Sequence, residues 1–257
     1  MRAATTAPTR PLFAATWKMM MRSRGVIFAI VTSSLYIAFF GLIDDLEFGI
    51  GAETIRFFDF ALPGFAVFLM MYQIQDITVA IASSFKARGI LKRLATTPLS
   101  PLKFIVVQSA TYVGLGVVAS GLVLTIGRLV GGTITLTVNL WWLPPVIAVI
   151  AVTSIALGYA TAGLTPNPQT ATNVGSTITF LIMGFSGVIF PIEALPSVLP
   201  DVVPYAVPHT ALVQIIRGIT LHGDTITGYG EQLLIGAGWL VVSFTAATLS
   251  YRFTEDR

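Results

Sequence analysis

Six stretches of this chain run for about twenty residues with almost no charge, and a helix of that length is what a bilayer core about 30 Å thick demands. The runs cover residues 25–43, 61–84, 104–127, 141–164, 171–190 and 233–251, and the second is interrupted only by Gln73, Gln75 and Asp76. They are too long for strands and carry too much glycine and alanine. The expected fold is therefore all-α and polytopic, one transmembrane domain over residues 1–257 with six membrane-spanning helices. Composition closes off the soluble alternative. Apolar residues make up 54% of the chain and Asp, Glu, Lys and Arg only 11%, against about 25% charged in a typical soluble domain. That leaves too few charges to coat a water-soluble surface.

The charges fall on two sides. Arg2, Arg10, Lys18, Arg22 and Arg24 precede the first run, Lys86, Arg88, Lys92, Arg93 and Lys103 lie between the second and third, and Arg252 and Arg257 follow the last. The acids Asp44, Asp45, Glu47, Glu53 and Asp59 follow the first run, and Glu193, Asp201, Asp224 and Glu231 lie between the fifth and sixth. Basic residues stay inside, so both termini are expected in the cytoplasm, which an even number of crossings permits. The first run is too long for a signal-peptide core and no A-x-A-like site follows it. Ahead of it, Leu12, Phe13, Trp17, Met20 and Met21 alternate with Lys18, Arg22 and Arg24. Residues 1–24 then read as an interfacial amphipathic helix on the cytoplasmic side, or as a basic flank that orients the first crossing.

Several chemistries are excluded by what the chain lacks. It has no cysteine, hence no disulfide, thiolate metal site or thiol nucleophile. It has no P-loop pattern and no H-E-x-x-H. A net charge of +3 gives no basis for nucleic-acid binding. His209 and His222 both fall between the last two runs, with no ligand spacing around them. Gly184-Phe185-Ser186-Gly187 looks like the serine element of an intramembrane protease, but no run contains a histidine to act as base. The glycines are read instead as packing contacts, as are Gly116 with Ser120 and Ala156 with Ala160.

Three features remain. In the basic segment, Ile90, Leu91 and Leu94 share one helical face, Arg88, Lys92 and Arg93 occupy the rest, and Pro98 and Pro101 end the helix. A short helix tied between two crossings could be pushed by a soluble partner; it could equally be an orienting signal with a solvated face. The second feature is a run of five prolines, Pro191, Pro196, Pro200, Pro204 and Pro208, amphiphilic and too broken to span. The third is Asp76, the one acid inside a run. With Gln73 it defines a candidate substrate path facing the bundle interior or a cavity; the alternatives are a structural hydrogen bond or a hydrated position near the cytoplasm.

The segment from Gly89 to Pro101, with its K-R-L and T-P-L-S-P elements, resembles the cytoplasmic loop of ABC-2 type transporter permeases, the membrane subunits of ATP-driven exporters. Residues 184–200, and Pro208-His209-Thr210 followed by Arg217-Gly218, are similar to that family's run after the fifth span. Many relatives carry acids just before the loop glycine, where this chain has Lys86-Ala87-Arg88.

The resemblance implies that residues 86–97 form a coupling helix seated on a separate ATP-binding subunit. Arg88, Gly89, Leu91, Lys92, Arg93 and Leu94 would make the contact, and the turn at Pro98 would pass motion to the third span. It implies two permease copies, identical or paralogous, and two ATP-binding subunits in a bacterial plasma membrane. The cargo would be hydrophobic or amphipathic: a drug, a lipid or a polyketide-like compound. This chain would be no enzyme and bind no cofactor itself; ATP and Mg would sit on the partner. Residues 191–208 would form an external re-entrant segment, with Phe190, Pro191 and Ile192 at an outer gate. A secondary transporter or channel is the competing reading; it predicts internal repeats or several intramembrane charges, and the sequence carries neither.

Because the chain has no native cysteine, the orientation is directly testable. In intact cells, a membrane-impermeant maleimide should label His222→Cys and leave Lys103→Cys unlabelled until the membrane is permeabilised.

Overall fold

A computed structural model describes residues 14, 17–18, 24–41, 47–50, 53–90, 96, 101–196 and 198–251. The interfacial segment at 1–24 therefore lies almost wholly outside the described residues, and Leu91, Lys92, Arg93, Leu94 and Pro98 of the coupling segment lie outside them too.

The chain is mostly helical. Helix α1 covers Arg24–Gly41. A short hairpin follows, β1 (Glu47–Ile50) and β2 (Glu53–Arg56), paired antiparallel from Glu47 opposite Arg56 to Ile50 opposite Glu53. Helix α2 (Phe57–Ala87) has 31 residues, about 46 Å at 1.5 Å per residue. Helix α3 is Pro101–Leu129, with proline at the one helical position where a missing N–H costs nothing. A 3-10 turn, Val138–Trp142, leads into α4 (Leu143–Leu164). Helix α5 (Pro168–Phe185) opens with Asn167 accepting from the Thr170 N–H at 2.9 Å. Two short helices follow, α6 (Leu199–Ala206) and α7 (Thr210–Arg217), then a π turn, Gly218–His222. Helix α8 (Gly230–Ser250) closes the described chain.

Among the described residues, three stretches are long and apolar enough to cross a membrane: Val106–Leu129, Val138–Leu164 and Ile226–Ser250. The elements differ from the sequence expectation mainly at their ends. Helix α2 starts at Phe57 rather than 61, so Asp59 lies in its first turn, where the helix dipole favours an acid. Helix α5 stops at Phe185 rather than 190, because Gly187 adopts a left-handed backbone at φ 73° and turns the chain away. The hairpin at 47–56 falls in what charge alone marked as a loop.

Helix α4 is the centre of the core. Its Ile147, Ile150, Ala151, Ile155 and Ala156 are buried, and it packs on α2, α3 and α8. Small residues set how close the helices come. Gly158 lies against Thr78 and the backbone of Gln75 in α2, and a β-carbon on Gly163 would stand 2.6 Å from the Ser250 backbone of α8. Ala156 and Ala160 are buried packing positions as expected, whereas a β-carbon at Gly184 would meet nothing within 4 Å, so the packing role expected of that glycine is not met within this chain.

Gly163→Val should force α4 and α8 apart. We expect a loss of about 1–3 kcal/mol, read as a lower midpoint of thermal unfolding in detergent. Gly114→Ala, at a position open for 4 Å around, should leave the midpoint unchanged.

Candidate transport machinery

Polar side chains gather in four places. At one end of the bundle, Arg56 and Asp59 pair at 2.8 Å. Asp59 also accepts from the Thr133 N–H at 2.6 Å, while Arg56 donates to the Gly131 carbonyl at 3.1 Å. The same end holds the pairing of Thr135 N–H with the Thr220 carbonyl at 2.7 Å and of Asn139 Nδ2 with the Gly223 carbonyl at 2.7 Å. Hairpin, α3–α4 connection and π turn are thus fastened together.

At the opposite end, Lys86 Nζ donates to the carbonyls of Gly163 at 3.0 Å and Thr165 at 3.2 Å. A cation there satisfies carbonyls that the end of α4 leaves unpaired and complements its dipole. Tyr251 Oη donates to the Ala82 carbonyl at 2.9 Å, its ring meets that of Tyr159 edge-on at 4.9 Å, and Tyr159 hydrogen-bonds Gln108 of α3. Arg88 caps α2 and is exposed. Gly89 sits at φ 66° with nothing within 4 Å of a notional β-carbon. Conformation rather than crowding accounts for glycine there.

The third place is the segment joining α5 to α8. Pro191 is buried, Phe190 is exposed and Ile192 is half-buried against Gly187. Arg217 holds this turn. Its Nη2 donates to the Gly187 carbonyl at 2.8 Å and its Nε to the Phe60 carbonyl at 3.2 Å, with the guanidinium 3.6 Å from the centre of the Phe60 ring. Burial lowers this guanidinium to about 10, against a smaller opposing effect of Glu193, so it stays charged at neutral pH. Gly218 packs closely beside it, and a β-carbon there would fall 1.7 Å from the Tyr229 hydroxyl, so that side chain would have to move. Between α6 and α7, His209 is buried at φ 75°, and its Nε2 lies 3.3 Å from Ser154 Oγ, midway along α4. Sequence reading left His209 in a surface loop; the fold carries it into the core. No acidic residue accompanies this pair among the described contacts, and both residues are enclosed, so it is a packing hydrogen bond rather than a nucleophile with its base.

The fourth place is the seam of α2 and α5. Gln75 Nε2 donates to Thr179 Oγ1 at 2.8 Å, both buried. Next to it, Tyr72 lies close enough to Asp76 and Ser176 to interact with both. The Asp76 Oδ1 atom is buried and has no partner among the described residues. The side chain of Gln73 lies outside them.

A hydrophobic helical bundle with a basic segment after its longest helix, and a broken, arginine-pinned segment before its last, matches the family model for the ABC-2 type transporter over residues 9–221. This chain belongs to the ABC-2 type transporter family. No curated protein matched it. The chain is accordingly a multi-pass membrane protein and a permease of ABC-type transport, and permeases of this family work with an ATP-binding subunit. Neither the role of Arg217 nor that of Lys86 was evident in the sequence; the available signal was a lone arginine in a strongly apolar stretch and a lysine at the last turn of a long helix.

Arg217→Met should leave the Gly187 and Phe60 carbonyls without their donor. We expect a loss of about 3 kcal/mol or more, seen as a lower unfolding midpoint and as protease cleavage between residues 186 and 208. Arg217→Lys should recover only part, because an ammonium cannot replace the planar fork.

Proposed function

We propose that the chain is one permease half of an ATP-driven exporter that moves a hydrophobic or amphipathic compound outward across the bacterial plasma membrane. On this reading it crosses the bilayer six times with both termini in the cytoplasm, and two permease copies assemble with two ATP-binding subunits. Those subunits hold ATP and Mg, and the permease itself binds no cofactor and catalyses no reaction. The clustering of Arg56, Asp59, Thr133 and Thr220 at one end, and of Lys86, Thr165 and Tyr251 at the other, supports this orientation.

The observation that carries the proposal is the pair of hydrogen bonds that Lys86 donates to the end of α4. Residues 86–97 are the coupling segment, and Lys86 stands at its start. A load on that segment reaches α4 through Lys86 and α8 through Tyr251. Charge-assisted bonds of this kind contribute about 1.5–3 kcal/mol each, enough to keep the three helix ends together while they move. Arg88 and Gly89 lie just beyond, and the left-handed Gly89 sets the direction in which the chain leaves α2. Leu91 and Leu94 supply apolar anchors for the ATP-binding subunit, Lys92 and Arg93 its specificity, and Pro98 the turn into α3. At the other end, Phe190, Pro191 and Ile192 form the outer gate, with Arg217 fixing its hinge. The exposed Thr172, Asn173 and Thr177 of α5 support a second copy or a wet path on that side, because polar groups on a membrane helix seek protein or water rather than lipid.

The test is reconstitution of the permease with its ATP-binding subunit. Leu91→Asp and Leu94→Asp should reduce substrate-stimulated ATP hydrolysis to the unstimulated rate, and full stimulation in both would defeat the coupling assignment. Lys86→Met should keep the complex assembled but move less substrate per ATP, with Lys86→Arg restoring most of the ratio.

A further inference from the structure

The seam between α2 and α5 contains an acid that no described residue neutralises. Asp76 lies in α2, and one of its carboxylate oxygens is buried without a hydrogen-bond partner among the described residues. Beside it lies the Tyr72 hydroxyl, one turn away, with Ser176 of α5 next to that hydroxyl. Among the described residues no ion pair includes it; the described pair is Arg56 with Asp59, at the far end of the helix. Lys86, ten residues further along α2, is committed to the carbonyls of Gly163 and Thr165.

The surroundings are built to stay in place. Gln75 is tied to Thr179, and Gly175 lets α5 approach Val79 so that a β-carbon there would stand 3.2 Å away. These contacts fix the seam, and Tyr72 and Asp76 lie beside it. The face of α5 next to it is exposed and changes character along its length. Thr172, Asn173 and Thr177 occupy its first half, and Phe180 and Leu181 its second. A polar floor with an acid at one edge thus leads into an apolar wall, which suits a molecule with a charged head and a greasy body.

An unpaired carboxylate within a membrane helix is costly, and none of the fixing contacts of the seam needs it. Gln75 and Thr179 would pair as well with an asparagine at 76. The charge is answered only if something from outside the chain brings a positive one. An ammonium group fits both the missing charge and the missing donor, and the Tyr72 ring beside it adds a face that attracts cations. An anionic amphiphile is repelled by the same carboxylate.

Resting on the reading of this chain as a permease, we propose that Asp76, oriented by Tyr72 and Ser176, selects the charge of the transported compound, and that the class admitted is lipophilic molecules bearing a protonated amine. Two probes that differ in that charge alone decide it. Dansylcadaverine carries a protonated primary amine; its N-acetyl derivative has the same fluorophore and chain without the charge. Binding to the full-length permease in detergent is read by fluorescence anisotropy and needs no ATP-binding subunit, so failure of the coupling assignment leaves it readable.

The wild-type chain should bind the amine at least about tenfold more tightly than the acetylated probe. Asp76→Asn should bring the ratio close to one while leaving the affinity for the acetylated probe unchanged, which also shows that the variant is folded. Asp76→Glu should keep the preference, and Tyr72→Phe should weaken it without abolishing it. Equal binding of the two probes by the wild-type chain, a preference that survives in Asp76→Asn, or binding of neither probe overturns the proposal.

Discussion

Everything in this fold follows from the fact that a backbone carbonyl or N–H in lipid has no water to turn to. Regular helix removes the problem over most of the chain. Where the helix stops, the protein has to supply partners, and it spends its few charged side chains on that task. Lys86 answers two carbonyls at the end of α4. Arg217 answers Gly187 and Phe60 where α5 gives way to irregular chain. Asp59 and Arg56 answer Thr133 and Gly131 where α3 ends. The sparse charges are therefore structural fasteners at the joints. Asp76 stands apart because its buried Oδ1 has no hydrogen-bond partner among the described residues.

The same constraint explains which parts of the fold can be read from the sequence. The apolar runs are unmistakable, since a helix in lipid must be apolar over its whole length, and the core of α3, α4 and α8 lies inside the runs that mark them. The ends are harder. Asp59 reads as a loop residue by its charge, yet it belongs to α2 because Arg56 and Thr133 neutralise it. Phe185 reads as mid-helix by hydropathy, yet it is terminal because a left-handed glycine two residues on redirects the chain. His209 reads as surface because polar residues among prolines usually are, and only its contact with Ser154 reveals that it is enclosed.

The functional elements divide in the same way. Asp76 is visible at once as the single acid within an apolar run, although only the structure shows that its buried Oδ1 lacks a partner among the described residues. The coupling role proposed for residues 86–97 comes from family resemblance, because nothing in a short amphipathic sequence says what it touches. Lys86 looks like one more member of a basic cluster. Its bonds to Gly163 and Thr165 join residues 77 and 79 positions apart, and no local pattern encodes such a distance.

The contact of Ser250 and Tyr251 with the ends of α4 and α2 bears on how the protein is made. A membrane helix enters the bilayer in the order of synthesis, and α8 is the last of these elements to leave the ribosome. Until it does, the Gly163 surface that receives Ser250 is uncovered, and the Ala82 carbonyl lacks the second bond that Tyr251 supplies. Lys86 can engage α4 earlier, but the second tie is missing. A chain interrupted before residue 250 would thus present a basic segment on a loosely held support. Its bare glycine surface would distinguish an unfinished copy from a finished one.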